Sequence, residues 1–374
     1  MDKKKRSIAV ISGEHSGDIY AADLIRGFKK KHSDISFSGI SGSDAHHAGL
    51  EQWSHCHPKK VMGIWDVLGH LSHYRTLMTR IESQLKARRP DLIILIDYAE
   101  LNLRVAQIAH KLKIKVLYYV PPKVWAWRRN RLQKILAFCT SVAPLYPFEY
   151  DFFKDHDCPV KLAKHPFIDK IPNDLCAPGD PYVALLPGSR QQEIRSCLPT
   201  MLQACQLLLS LHPNLKFKLL CATPTLLPLI ERTIRSCECS PPLQIVTEHQ
   251  TSMLQAARAA IVCSGTAAFE CGMLCVPMVV IYRCHWLTYW IAKSLATVSL
   301  YSLPNLILNR RAVVELIQSQ CQPQNIAEEI DKLLSEGEYR KAQLASLSQM
   351  KNQLLQHNDC YAIEDIAFAL IQDT

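Results

Sequence analysis

Short runs of β-branched and aliphatic residues, each followed by a segment of helical character, recur along this chain and limit the folds open to it. SIAVISG at 7–13, LIILID at 92–97, KVLYYV at 115–120 and SVAPLYP at 141–147 form one series. YVALLPG at 182–188, KFKLLCA at 216–222, AAIVCSG at 259–265 and VPMVVIY at 276–282 form a second. Strand-sized apolar runs alternating with helices predict an α/β fold with parallel sheets, because parallel neighbours need a crossover long enough to hold a helix. Between the series lies NDLCAPGDP, whose Pro, Gly and Asp suit a linker. With 374 residues the chain also exceeds the roughly 250 to 300 at which one core stops growing. Two Rossmann-like lobes facing a cleft are therefore expected, with a boundary between about 165 and 181. From about Pro323 the pattern is helical and polar, and the last helix is expected to return to the first lobe.

Cysteine and charge narrow the setting. The 15 cysteines are scattered as singles, and Cys237 and Cys239 have no matching Cys or His pair, so neither a zinc site nor a disulfide framework follows. With no signal peptide, they read as buried thiols of the cytoplasm. No apolar run approaches the roughly 20 residues of a membrane span. The net charge of +9 includes Lys3, Lys4, Lys5 and Arg6 at the start, and Arg128, Arg129, Arg131 and Lys134 after a tryptophan pair. Both runs suit a phosphorylated lipid surface. The basic and aromatic residues form no recognised nucleic-acid-reading module.

The chemistry is expected at the strand ends. Gly13, Glu14, His15, Ser16, Gly17 and Asp18 form a turn and helix start whose amides point into the cleft, but the turn lacks the GxGxxG spacing of a dinucleotide site. LIILID ends in Asp97, where a carboxylate can take a proton from a sugar hydroxyl within about 3 Å; a helix cap is the structural alternative, and Glu100 is a spare carboxylate. In the second lobe Pro187, Gly188, Ser189 and Arg190 precede a helix, a place for a diphosphate whose growing charge preorganised donors would stabilise without a metal. Ser264, Gly265 and Thr266 repeat that arrangement, with Glu270 as a ribose acceptor. In residues 64–81, Ile64, Val67, Leu68, Leu71, Tyr74, Met78 and Ile81 make a core-facing stripe, while Trp65 and Leu77 fall outside it and are expected to dip into lipid headgroups.

SGEHSGD, FSGISG, VMGIWDVLG, IDYAELN, VWAWR, LYPFE, ALLPGSRQQEI, SGTAAFE, PMVVIYR and SLPNLI occur in the order seen in lipid-A-disaccharide synthases, from about residue 8 to 325. The chain resembles that family. The resemblance implies a GT-B fold and transfer from UDP-2,3-diacylglucosamine to 2,3-diacylglucosamine 1-phosphate (lipid X), forming a β-1,6 linkage with inversion and releasing UDP. It implies no cofactor and no metal, a protein peripheral to the cytoplasmic face of the inner membrane, and permits a homodimer. Carried over, Asp97 matches the proposed base and Arg190 the essential arginine, with Glu14 as a further catalytic candidate. Gly188, Ser189, Arg190, Ser264, Gly265, Thr266, Glu270 and Asn305 are the expected UDP-sugar contacts. Ser16, Gly17, Asp18, Asn102 and Trp125 are expected in the first-lobe cleft, and Trp65, Leu68 and Leu77 at the membrane. The corresponding division is 1–170 for the acceptor and membrane lobe, 171–345 for the UDP-sugar lobe, and 346–374 for the returning segment. Pro121, Lys123 and Lys164 stand where the family commonly has serines and a glycine, and Tyr98 and Glu100 also depart from its pattern. Lys123 and Lys164 are candidates for the acceptor phosphate. The rival readings are another UDP-sugar enzyme, an epimerase or a peptidoglycan transferase, and a non-catalytic UDP-sugar-binding protein.

Overall fold

The structure is a computed structural model that describes residues 6–13, 15–32, 34–53, 71–126, 130–172, 181–237, 239, 241–248, 250–284, 299–356 and 359–372. The chain forms two compact units, one of Met1–Pro166 with Asn358–Thr374, the other of Phe167–His357. Residues 346–357, expected in the returning segment, thus stay with the second unit.

The first unit is built on strands β1 (Ser7–Ser12), β2 (Ser36–Ile40), β3 (Glu51–Gln52), β4 (Leu92–Ile96), β5 (Lys115–Tyr119) and β6 (Ser141–Ala143), in the spatial order β3-β2-β1-β4-β5-β6. Every pairing is parallel. All five residues of β4 are buried, as they must be in a central strand with both faces covered. The crossovers hold helices α1 (His15–Lys31), α2 (Ser43–Ala48), α3 (Leu71–Arg88), α4 (Ala99–Lys111) and α5 (Asn130–Phe138); α6 (Pro147–Lys154) follows β6. Aliphatic residues of α3, α4 and α5 form one core with the strands.

Strand β7 (Leu162–Ala163) closes this part of the unit, and the second sheet begins with β8 (Tyr182–Leu186). It continues with β9 (Lys216–Leu220), β10 (Leu243–Val246), β11 (Ala259–Cys263), β12 (Met278–Tyr282) and β13 (Val314–Ile317), in the order β10-β9-β8-β11-β12-β13, again all parallel. Helices α7 (Gln191–Leu211), α8 (Leu227–Ser236), α9 (Gln250–Gln255), α10 (Thr266–Met273), α11 (Leu303–Leu308), α12 (Pro323–Leu334) and α13 (Glu338–Leu355) belong to this unit. Strand β14 (Cys360–Tyr361) then pairs with β7, and α14 (Ile363–Gln372) packs on α1 in the first unit.

The strand orders decide where a ligand can sit. In the first sheet the chain winds outward from β1 to β3 on one side and from β4 to β6 on the other; in the second the two directions diverge from β8 and β11. Where the winding reverses, the following loops part and leave a crevice at the carboxyl ends of the strands. Those ends carry Gly13 and Asp97 in one sheet, and the 187–190 and 264–266 turns in the other. SGT follows PGSR by several elements in sequence, yet β11 pairs directly with β8, with Leu186 opposite Val262.

No described helix is long and apolar enough to cross a membrane. Leu77 corrects one expectation. It is 5 % exposed and lies in the first core with Ile81 and Leu85, four and eight residues further along α3. That spacing puts the three on one face of a helix, so Leu77 belongs to the buried stripe and does not dip into headgroups. Trp65 and Leu68 lie outside the described residues, as do Lys3, Lys4, Lys5, Arg128 and Arg129.

Candidate active site

At the switch point of the first sheet, Ser12 is opposite Ile96, so Gly13 and Asp97 leave neighbouring strands side by side. Asp97 and Tyr98 both adopt left-handed backbone, with φ of 51° and 41°. Two such residues in succession without glycine are strained, and the surroundings must hold them. Asn102, fully buried on α4, donates from Nδ2 to the carbonyls of Ile96 (3.0 Å) and Asp97 (2.7 Å). The Tyr118 hydroxyl, buried on β5, donates to the same Asp97 carbonyl at 2.9 Å. The Asp97 amide donates to Tyr119 O at 3.3 Å. Gly13 makes room for Tyr98, since a Cβ there would stand 2.3 Å from the Tyr98 ring. Asn102 was expected in the cleft; its amide instead fixes the backbone that carries Asp97.

Nearby expected contacts divide in the same way. Gly17 lets α1 approach the strands, its missing Cβ only 3.1 Å from that of Ser12, and Ser16 is half-buried one residue earlier. Asp18 is a structural anchor: its carboxylate accepts from the Ser41 hydroxyl (2.8 Å) and from the amides of Gly42, Asp44 and Ala45 at 2.9–3.0 Å. It thereby satisfies the start of α2 from a neighbouring helix. Glu100 makes an ion pair with Arg131, which joins an arginine of the expected lipid-facing run to the first unit's own surface. Lys123 is exposed, and the Lys164 amide donates to Tyr361 O at 2.8 Å. Glu14 lies outside the described residues.

In the second unit, Gly188 has φ +109°, a left-handed conformation that favours glycine. The turn is tied by Glu193, whose Oε2 accepts the amides of Ser189 (3.0 Å) and Arg190 (3.2 Å), with Oε1 3.6 Å from the Arg190 guanidinium. Ser189 and Arg190 are exposed at the start of α7. On the adjacent strand end, Ser264 is half-buried and hydrogen-bonded to Ile281 O at 2.9 Å, and Gly265 and Thr266 are exposed where α10 begins. Two helix N-termini, a guanidinium and the hydroxyls of Ser189, Ser264 and Thr266 thus belong to one switch point, a setting suited to a phosphate-rich ligand. Burial pushes the Glu270 carboxyl up to about 7 against the opposing pull of Lys170.

Asn305 is a correction of another kind. It is fully buried, its Nδ2 donating to Val313 O (2.9 Å) and Glu315 Oε1 (2.8 Å), its Oδ1 accepting from the amides of Ala312 and Val313 at 2.7 and 2.9 Å. Every donor and acceptor of the side chain is engaged, so it braces the 312–315 segment and does not line a ligand site.

Sequence reasoning missed Tyr118, Glu193 and Glu149 as contributors. Glu149 is 5 % exposed, accepts the Trp125 indole N–H on Oε1 at 3.1 Å, and is pushed by burial up to about 7. The LYPFE motif flagged its neighbourhood, but the motif alone does not reveal that this carboxyl turns inward.

The chain was compared with known proteins. The family model described as lipid-A-disaccharide synthetase matches residues 8–369. A lipid-A-disaccharide synthase of Coxiella burnetii is 34 % identical over 376 residues, covering 98 % of this chain and 99 % of the relative. Among solved structures, the calicheamicin glycosyltransferase CalG4 aligns with a TM-score of 0.66 at 13 % identity, covering 99 % of both chains. A UDP-GlcNAc 2-epimerase of Neisseria meningitidis bound to UDP-GlcNAc aligns at 0.64 and 12 %, covering 98 % of this chain and all of that one. At such low identity these two likenesses concern the fold alone.

Proposed function

This chain belongs to the lipid-A-disaccharide synthetase family and is a glycosyltransferase, and we propose that it moves 2,3-diacylglucosamine from UDP-2,3-diacylglucosamine onto 2,3-diacylglucosamine 1-phosphate with inversion. The family implies a UDP-sugar donor and a lipid acceptor; the particular pair and the β-1,6 linkage are our reading. Asp97 accepts the proton of the acceptor's 6-hydroxyl as that oxygen attacks the anomeric carbon. The bond from that carbon to the diphosphate breaks in the same displacement, and UDP leaves with the electron pair. Arg190, the Ser189 hydroxyl and the N-terminal turns of α7 and α10 stabilise the charge growing on the diphosphate, and Thr266 and Glu270 hold the nucleoside end. Donors already aimed at the leaving group need no reorganisation during the step. Since both substrates carry acyl chains, the reaction takes place at the cytoplasmic face of the inner membrane, with Trp65 and Leu68 as docking candidates.

The observation that carries this reading is Asp97 at a switch point, in a strained backbone conformation braced by Asn102 and Tyr118. Strain kept at a strand end beside a crevice is characteristic of functional positions. The test is an assay with both defined lipids in mixed micelles, reading UDP release and disaccharide. Wild type is expected to make both products. Asp97→Ala and Arg190→Ala are expected to lose at least about 100-fold in turnover while keeping their circular dichroism and melting behaviour. Folded variants with near-normal turnover would overturn the site, and wild type that releases no UDP would overturn the reaction.

A further inference from the structure

The carboxyl ends of β5 and β6, beside Asp97 in the first sheet, carry a group of side chains that the reaction above does not use. Strand β5 ends in Val120, a β-branched residue at φ 55°, where left-handed backbone is a marked outlier. The chain then passes Pro121 and Pro122, folds over with Ala126 N donating to Lys123 O at 3.1 Å, and presents Trp125 half-buried. The indole is locked from two directions by the first turn of α6. Phe148 meets it edge to face, with centroids 4.9 Å apart and planes at 87°. Glu149 accepts its N–H at 3.1 Å.

Burying a carboxyl at this place is expensive, because little water reaches it, and the desolvation outweighs the indole N–H, the charge of Lys123 and the backbone hydrogen bonds from Leu145 and Tyr146. A backbone carbonyl could fix the same N–H without that penalty. A fixed, partly open indole with an acid on its edge and an exposed ammonium at Lys123 instead matches one ligand chemistry. The axial C–H groups of a pyranose ring lie on an aromatic face, its hydroxyls reach a carboxyl, and an anionic substituent pairs with an ammonium.

Resting on the proposed reaction, we propose that Trp125 is the platform for the acceptor's phosphorylated glucosamine ring, that Glu149 is the positioning residue that holds the platform, and that Lys123 faces the ring's phosphate. Its residues follow β5 and β6 on the same sheet edge as Asp97, one and two strand positions from β4.

The experiment has a catalytic and a binding arm. In the defined-lipid assay, Trp125→Ala and Glu149→Ala are each expected to raise the acceptor KM about tenfold, leaving the donor KM within about twofold. Glu149→Gln keeps an oxygen for the indole N–H and should restore the acceptor KM; a purely structural role would shift both KM values or neither. In the binding arm, water-soluble glucosamine 1-phosphate is titrated into wild type and Trp125→Phe while tryptophan fluorescence is followed. A saturable change in wild type that is absent from Trp125→Phe supports the platform. If wild type turns over the lipids but Trp125→Ala has an unchanged acceptor KM, the platform is overturned and the reaction stands. If wild type makes no product while the fluorescence change is still lost in Trp125→Phe, the reaction is overturned and the sugar site stands.

Discussion

Short polar side chains near the candidate site have two uses, and distinguishing them needs the backbone around them. Asp97, Asn102, Asp18 and Asn305 all lie within or beside family motifs, and each reads from sequence as a ligand contact. Asn102, Asp18 and Asn305 turn out to close hydrogen bonds left open by strand ends, a helix start and a loop. Asn and Asp suit both tasks because their reach is that of a backbone group, and spacing does not say which carbonyls remain unpaired. Asn102 gives this a measurable consequence. Asn102→Ala removes two hydrogen bonds to the Ile96 and Asp97 carbonyls, so a stability loss of about 1 to 3 kcal/mol is expected. It also releases the left-handed turn that aims Asp97. Misplacing a base by about 1 Å can cost roughly 100-fold, so turnover should fall by that order with both KM values nearly unchanged. Steady-state kinetics beside a denaturant titration checks it; turnover within about threefold of wild type would show that the brace does not aim the base.

Elements are more legible than their side chains' fates. The central strands β1, β4, β8, β11 and β12 are apolar runs because helices cover both faces of a parallel sheet, whereas the edge strand β3 is only Glu51–Gln52, and the glycine turns mark where the runs end. Two things stay hidden in the sequence. The adjacency of β8 and β11 depends on the direction in which each crossover winds, so PGSR and SGT become neighbours only in three dimensions. The orientation of α3 depends on what its stripe meets: Leu77, Ile81 and Leu85 form the buried line, with Tyr74 and Met78 packed beside it. Replacing Leu77 with Ser therefore perturbs the core of the first unit. A loss of about 3 kcal/mol is expected, from the missing methyl groups and a hydroxyl placed among aliphatic side chains. The urea midpoint should drop, and the fraction sedimenting with anionic vesicles at low denaturant should not. Unchanged stability with weakened sedimentation would return Leu77 to the surface.

The whole molecule is threaded in a way that ties the end of the chain to its beginning. The second unit, Phe167–His357, is an uninterrupted stretch, whereas the first is completed only by Asn358–Thr374. The closing segment is integral to the first unit. Strand β14 sets Cys360 opposite Leu162 and Tyr361 opposite Ala163. Helix α14 buries Ile363, Ile366, Ala367 and Ile371, and Phe368 stacks on His32 with centroids 3.7 Å apart. Gly27 permits the close approach of α1 to α14, since a Cβ there would stand 2.9 Å from the Glu364 carboxyl carbon. The ion pairs of Lys31 with Glu364 and Asp365, at 3.1 and 2.7 Å, share an exposed ammonium that water screens and add little, so the apolar face supplies most of the attachment. At about 1.5 to 3 kcal/mol for each large aliphatic side chain, its loss approaches the roughly 5 to 15 kcal/mol that stabilises an ordinary domain. Ending the chain after Gln356 should therefore unfold much of the first unit and spare the second. Hydrogen exchange followed by mass spectrometry is expected to show fast exchange in β1, β4 and α1, with native protection in β8, β11 and α7. Equal protection of both units in the shortened chain would mean that the first unit's core is sufficient without α14, and a uniform loss would mean that the two units do not fold independently.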